Sequence, residues 1–128
     1  MKKSVIISIR PAYCKSIFQG TKRVEYRRRI FKEDVETMYI YESGTTQKVI
    51  GEVPVKGILS GTPSEIWKKT KDRSGITAKE FYKYFTGNKP AYAIELGGPY
   101  LYKTPLSLVA FGISHPPLSF CYVKKERD

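Results

Sequence analysis

Four residues, Gly20, Lys22, Glu25 and Arg27, fall within eight positions and set an ammonium, a carboxylate and a guanidinium side by side. A lysine can clamp a phosphate, or act as a base once desolvated. A carboxylate can orient that lysine or accept hydrogen bonds from the edge of a base. An arginine makes paired hydrogen bonds to phosphate oxygens through its planar fork. A strand starting near Arg23 alternates its faces, so Glu25, Arg27 and Arg29 point one way and Arg28 the other. Lys22 stands at the strand entrance, where its long side chain can reach either face. One carboxylate among several cations builds a poor core but a reasonable site for an anionic ligand with hydrogen-bonding edges.

Arg27 is assigned to the pocket, with Arg10 as its neighbour from the first strand, and these two with Lys22 are expected to hold phosphate. Arg28 and Arg29 are assigned to phosphates outside it. Tyr13, Tyr39, Tyr41, Trp67 and Tyr92 could each stack an unpaired base, although core packing accounts for any one of them singly. Tyr13 and Tyr41 are the two assigned to a cleft. Ser43 and Ser114 could supply hydroxyls at strand ends. His115 is the sole histidine, lacks a marked partner and reads as structural. No Ser-His-Asp order, Walker loop or dinucleotide fingerprint is present. With one His and two Cys, zinc of the usual ligand composition is nearly excluded. Neither a structural metal nor a cofactor is expected.

The elements that must position these residues are marked by their punctuation. Val5 to Ile9 reads as a strand stopped by Arg10-Pro11, and Ala12 to Gln19 as a two-turn helix ended by Gly20 in the left-handed conformation. Arg23 to Ile30 and Thr37 to Glu42 read as strands. Residues 43–46 form a turn, and Lys48 to Leu59 is a longer strand bent at Pro54 and Gly57. Thr62-Pro63-Ser64-Glu65 and Thr77-Ala78-Lys79-Glu80 are capping boxes that open two further helices. Ile66 and Trp67 anchor the first of these, and Phe81, Tyr84 and Phe85 the second. Ala91 to Leu96, Tyr100 to Tyr102, parts of Leu106 to Phe111, and Ser119 to Val123 supply the remaining β-structure. Strands outnumber helices, which predicts an α+β fold with about three helices and a small mixed or antiparallel barrel-like sheet.

The 128 residues, 1–128, read as one domain with enough chain to bury a core. The net charge of +11 favours a polyanionic partner or surface. Ten Lys or Arg and a single acid, Glu25, lie in residues 1–32, so the charge is concentrated around the candidate site. No segment approaches the roughly 18 apolar residues of a membrane helix, and the N-terminus lacks the long apolar run of a signal peptide. A cytoplasmic location is expected, with Cys14 and Cys121 kept reduced.

The spacing Gly-x-Lys-x-x-Glu-x-Arg, filled by Gly20, Lys22, Glu25 and Arg27, resembles the signature of the ASCH domain family. Ser8-Ile9-Arg10-Pro11-x-Tyr13, Tyr39-x-Tyr41-x-Ser43, Gly51 and Pro116-Pro117-x-Ser119-Phe120 extend the resemblance, to a small bacterial single-domain subgroup, over most of the chain. The resemblance implies the PUA-like superfold, whose small pseudo-barrels mostly bind RNA or modified bases. It also implies that Lys22, with Glu25 beside it, is catalytic if the chain is an enzyme. Some ASCH-type proteins are amidohydrolases of acetylated cytidine and carry a Thr two residues after the signature Lys. Val24 stands there instead and offers no hydroxyl. Others are metal-independent ribonucleases that rely on the Lys with Tyr and Ser partners, a set that Lys22, Tyr13 and Ser43 or Ser114 could mimic. Leu118 occupies a tail position where the resemblance leads one to expect a polar Gln.

The leading expectation is a basic cleft that binds RNA or a modified nucleotide, built from Arg10, Tyr13, Lys22, Glu25, Arg27, Arg28, Arg29, Tyr41 and Ser43. DNA is a further candidate partner, and the oligomeric state is open. The alternative is a metal-independent ribonuclease or nucleoside amidohydrolase using Lys22. A small regulatory protein whose basic face docks an acidic partner is the third reading.

Overall fold

The computed structural model describes residues 2–123. Strand β1 (Lys3–Ile9) leads into helix α1 (Pro11–Gln19). Pro11 sits in the first turn, where a missing N–H leaves no bond unmade. Gly20 ends the helix at φ 86°, and its N–H donates to the Ile17 carbonyl. Strand β2 (Val24–Arg27) follows, then β3 (Val35–Glu42), which returns parallel to β1 with Ile7 opposite Ile40.

Strand β4 (Lys48–Gly61) is long enough to serve two neighbours. Its first half pairs antiparallel with β3 as far as Pro54. Its second half pairs with β5 (Ala91–Leu96), and the register slips between Val55 and Gly57. The bend expected from Pro54 and Gly57 therefore falls where β4 changes partners. Strand β6 (Tyr100–Leu106) lies against β4, and β7 (Phe120–Val123) closes on β1.

The seven strands form one mixed sheet with the path β2–β5–β4–β3–β1–β7, and β6 lies off that path on β4. The α+β class is as expected, but the barrel is not closed. Among the described residues no ladder joins β2 to β1 or β7. Strand β2 has only four residues and one strand partner, β5, so its free edge is bridged by side chains instead.

Helices α2 (Pro63–Thr70) and α3 (Ala78–Tyr84) each begin with a complete capping box, Thr62 with Glu65 and Thr77 with Glu80. They pack through Ile66, Phe81 and Phe85 on Val24 and Tyr26 of β2 and on Ala91 and Ala93 of β5. A second cluster lies under α1, where Cys14 and Ile17 meet Val5, Ile7, Met38 and Ile40. The third covers the opposite face of β1 and β3, with Ile6, Tyr39, Tyr41 and Val49 beneath Leu106, Leu108 and Phe111. Residues Leu108–Phe111 form a 3₁₀ turn rather than the expected strand, held by Gly112 in the left-handed conformation. No helix among the described residues is long and apolar enough to cross a membrane.

Candidate functional site

The edge of β2 that pairs with no strand among the described residues lines a cleft of about 630 Å³. Its walls come from the end of β1 (Ser8, Ile9, Arg10), α1 (Tyr13), the β2 region (Lys22, Glu25, Tyr26, Arg27, Arg28) and α3 with its approach (Ile76, Glu80, Lys83, Tyr84). Elements distant in sequence thus meet around the Lys22–Arg27 segment.

Lys22 is almost fully buried, at 2% exposure. Its Nζ donates to the Ser74 carbonyl at 3.0 Å, 52 residues away. The same ammonium lies 4.9 Å from the centre of the Tyr13 ring and 5.0 Å from that of Tyr26. Burial drives its pKa below that of an ordinary lysine. Glu25 and Glu80 pull it back up, and Arg27 pushes it further down. Lys22 is held under the loop of residues 74–76. Gly75, at φ +70°, passes so close that a Cβ there would lie 2.5 Å from the Lys22 Cβ.

Glu25 is 5% exposed. Arg27 Nε and Nη2 converge on one carboxylate oxygen, Oε2, at 3.0 and 2.9 Å. The other, Oε1, is buried without a hydrogen-bond partner among the described residues. Arg27 also donates from Nη2 to the Ser8 carbonyl at 2.9 Å and from Nη1 to Ser119 Oγ at 3.2 Å. This one side chain ties β2 to β1 and to the residue before β7, across the gap in the sheet. Ser8 completes the tie: its N–H donates to the Ser119 carbonyl, and its Oγ donates to that of Pro117 at 2.6 Å. Arg27 therefore lines the pocket as expected, but its donors are engaged within the protein.

At the rim, Arg10 is exposed and donates from Nη2 to Tyr13 Oη at 3.0 Å. Its guanidinium lies 4.7 Å from the centre of the same ring. The Arg28 guanidinium lies 4.8 Å from the centre of the Tyr84 ring.

Two residues expected in the cleft, Tyr41 and Ser43, lie elsewhere, and Arg28, expected outside it, lines it. Arg29 is exposed in a bend, because β2 ends at Arg27 and the chain turns to bury Phe31 against Phe120. Tyr41 packs with Ile6, Tyr39 and Val49 on the far face of the sheet, and Tyr39 is buried with it. The Ser43 N–H and Oγ both donate to the Ile9 carbonyl, which ties the β3–β4 turn to the back of the cleft wall. Trp67 packs on Phe81. Ser114 pairs with His115 at an exposed position.

Ser8, Ser74, Glu80, Tyr84 and Ser119 complete the site beyond the residues singled out in sequence. Ser8 and Ser119 stand in the motifs that flank the signature, which was the available signal. Glu80 and Tyr84 were legible only as a helix cap and a helix anchor. Val24 is fully buried among the aromatic residues of α3, away from the cleft. Cys14 is buried too, with its thiol pKa pushed up to about 12 by desolvation, and takes no part in the site.

Residues 2–112 match the family described as "Domain of unknown function (DUF365)". The chain is 30% identical over 124 residues to ATP synthase subunit alpha of Ureaplasma parvum serovar 3, which covers 96% of this chain and 16% of that protein. It is 28% identical over 123 residues to large ribosomal subunit protein uL22 of the same organism, covering 95% of this chain and 40% of that one. This chain therefore spans only a minor part of either relative. An ASCH domain-containing ribonuclease of Zymomonas mobilis is 29% identical over 96 residues, covering 74% of this chain and 65% of that protein. The crystal structure of an ASCH protein from Zymomonas mobilis superposes with a TM-score of 0.86 at 26% identity, over 96% of this chain and 89% of that chain. A tyrosine-to-phenylalanine variant of that protein gives 0.87 at 25% identity, over 97% and 92%.

Proposed function

The chain belongs to the DUF365 family and is an ASCH domain of the PUA-like superfold, and from that premise we propose that its cleft binds an unpaired base of RNA. The observation that carries this reading is the Glu25 Oε1 atom, a buried acceptor without a partner in a cleft open to a ligand. A buried polar atom left unsatisfied costs about 1–3 kcal/mol. The N–H edge of a base would satisfy it. The same base presents a flat face to Tyr13 or Tyr26, and its carbonyl or ring nitrogen can accept from the Lys22 ammonium. Duplex RNA hides these edges in a deep groove, so the ligand is a splayed or single-stranded base. Arg10, Arg28 and Lys83 at the rim supply cations for the backbone.

Arg27 acts here as a brace. It neutralises one side of Glu25 and holds the carboxylate against the strand gap, which leaves Oε1 aimed at the ligand. This revises the phosphate-clamping role expected from the sequence. Arg10 and Arg28 take that role.

A second reading, RNA cleavage without a metal, is favoured by the lowered pKa of Lys22 and the Tyr13 ring beside it. A lysine with a lowered pKa gives up its own proton more readily and, once neutral, can take one from a ribose hydroxyl. The related ribonuclease of Zymomonas mobilis supports it. Amidohydrolysis is not carried forward, since Val24 offers no hydroxyl and faces the core.

The test is fluorescence anisotropy with labelled single-stranded RNA, hairpin RNA and single-stranded DNA at about 50 and 200 mM salt. The RNA is then recovered on a gel to look for cleavage. Binding that falls with salt and weakens roughly 10-fold in Glu25→Gln, in line with one charged hydrogen bond, supports the proposal. Cleavage lost in Lys22→Met selects the second reading. Equal affinity of parent, Glu25→Gln and Lys22→Met for every probe would sink both.

A further inference from the structure

The pair formed by Arg28 and Tyr84 is left over once Lys22, Glu25 and Tyr13 have been given to a single base. Both line the same cleft as Lys22 and Glu25. Tyr84 closes the last turn of α3 and is held by Phe85, 4.8 Å away between ring centres. Arg28 is the first residue after β2, where the chain bends, so its direction is set by the end of the β2–β5 ladder. Its guanidinium lies over the Tyr84 ring, 4.8 Å from the ring centre. Among the described residues it makes no hydrogen bond or ion pair, unlike Arg27, whose donors are bound to Glu25, Ser8 and Ser119.

We propose that Arg28 and Tyr84 form a second subsite, which binds the nucleotide next to the base held at Glu25. This inference rests on the RNA reading of the cleft and deepens it, because it makes the dinucleotide, not the free nucleotide, the smallest unit that fills the cleft. Arg28 donates to the phosphate that joins the two nucleotides, using the paired geometry suited to phosphate oxygens. The second base stacks on the exposed side of the Arg28–Tyr84 pair. Base–aromatic and base–guanidinium stacking tolerates any sequence, since every base has a π-face. The subsite therefore adds affinity without reading sequence, while base discrimination stays at Glu25.

Isothermal titration of the parent protein, Arg28→Gln and Tyr84→Ala tests this. The probes are the four ribonucleoside monophosphates, a mixture of RNA dinucleotides and an RNA octamer. Both variants are expected to lose roughly 10-fold to 100-fold in affinity for dinucleotide and octamer, with the monophosphates, which lack the second base, weakened far less. Tyr84→Phe, which keeps the ring, is expected to retain parent affinity, and Arg28→Gln guards against a folding defect because Arg28 is exposed. A parent that binds dinucleotide no more tightly than monophosphate would overturn the second subsite, as would variants that lose both equally or neither. If the parent binds none of the probes, octamer included, the RNA reading itself fails and the inference falls with it.

Discussion

Arg27 satisfies only one of the two carboxylate oxygens of Glu25: Nε and Nη2 both close on Oε2, at 3.0 and 2.9 Å, and Oε1 is left buried with no partner among the described residues. A purely structural ion pair would gain by engaging both oxygens in a fork-to-fork arrangement. Here the second fork arm is directed at Ser119 and Ser8 instead, on the far side of the gap in the sheet. The site and the fold thus share one side chain.

That sharing sets the cost of removing it. Arg27→Met leaves Glu25 as a buried charge without its cation and is expected to lower stability by about 3–5 kcal/mol. Adding Glu25→Gln to the same chain should restore at least half of the loss, since the stranded charge is then gone. Denaturant titration of the two single variants and the double variant reads the coupling directly. A loss under about 1 kcal/mol in Arg27→Met would mean that the pair is not part of the framework.

Gly75 touches no ligand in this account, yet Gly75→Ala is expected to weaken RNA binding about as much as Lys22→Met does. A Cβ at residue 75 would sit 2.5 Å from the Lys22 Cβ and 2.9 Å from its Cα, atoms too near the backbone to swing aside. The positive φ adds a stability loss of roughly 1–2 kcal/mol. Thermal unfolding separates the two effects: a folded variant with parent-like RNA affinity would show that the position of Lys22 is not critical.

The buried Lys22 leaves a signature in the pH dependence of stability. Its pKa is lowered from 10.5 on folding, chiefly by burial. Between the folded value and 10.5 the unfolded chain binds more protons than the folded one, so stability rises with pH through that window. Below the window the full destabilisation is present. In Lys22→Met this contribution is absent. The parent is therefore expected to gain on the variant as pH approaches 10.5, as measured by denaturant midpoints between pH 7 and 10. A gap that does not change with pH would contradict the burial of a charged amine.

Tyr41→Phe and Ser43→Ala, whose side chains do not line the cleft, are expected to leave RNA affinity unchanged within twofold, which the same anisotropy assay checks. Both were sequence candidates, and for Tyr41 the reason it lies away from the cleft is physical. Residues 38–41 of β3 are buried on both faces, Met38 and Ile40 under α1, and Tyr39 and Tyr41 under the segment of residues 102–111. Alternation separates the two faces of a strand but does not reveal that a later segment covers the second one. Alternation did suffice for Glu25 and Arg27, which share a face of β2 and meet. The strand was read too long because the end of its β5 partner, and with it the bend at Arg28, is set about 65 residues downstream, at Ala91 and Tyr92. The burial of Lys22 was equally out of reach, since the carbonyl that holds its ammonium belongs to Ser74. The capping boxes of α2 and α3, the stop at Gly20 and the bend in β4 are local, and all were legible.

The most direct test of the central claim is to irradiate the protein bound to single-stranded RNA with ultraviolet light and map the cross-linked residues by mass spectrometry. Attachment at Tyr13 or Tyr26, with or without Tyr84, and its loss in Glu25→Gln, is the predicted result. Attachment instead at Tyr100 or Tyr102, which line a separate groove beside β6 with Glu52 and Lys103, would place the RNA elsewhere and contradict the account.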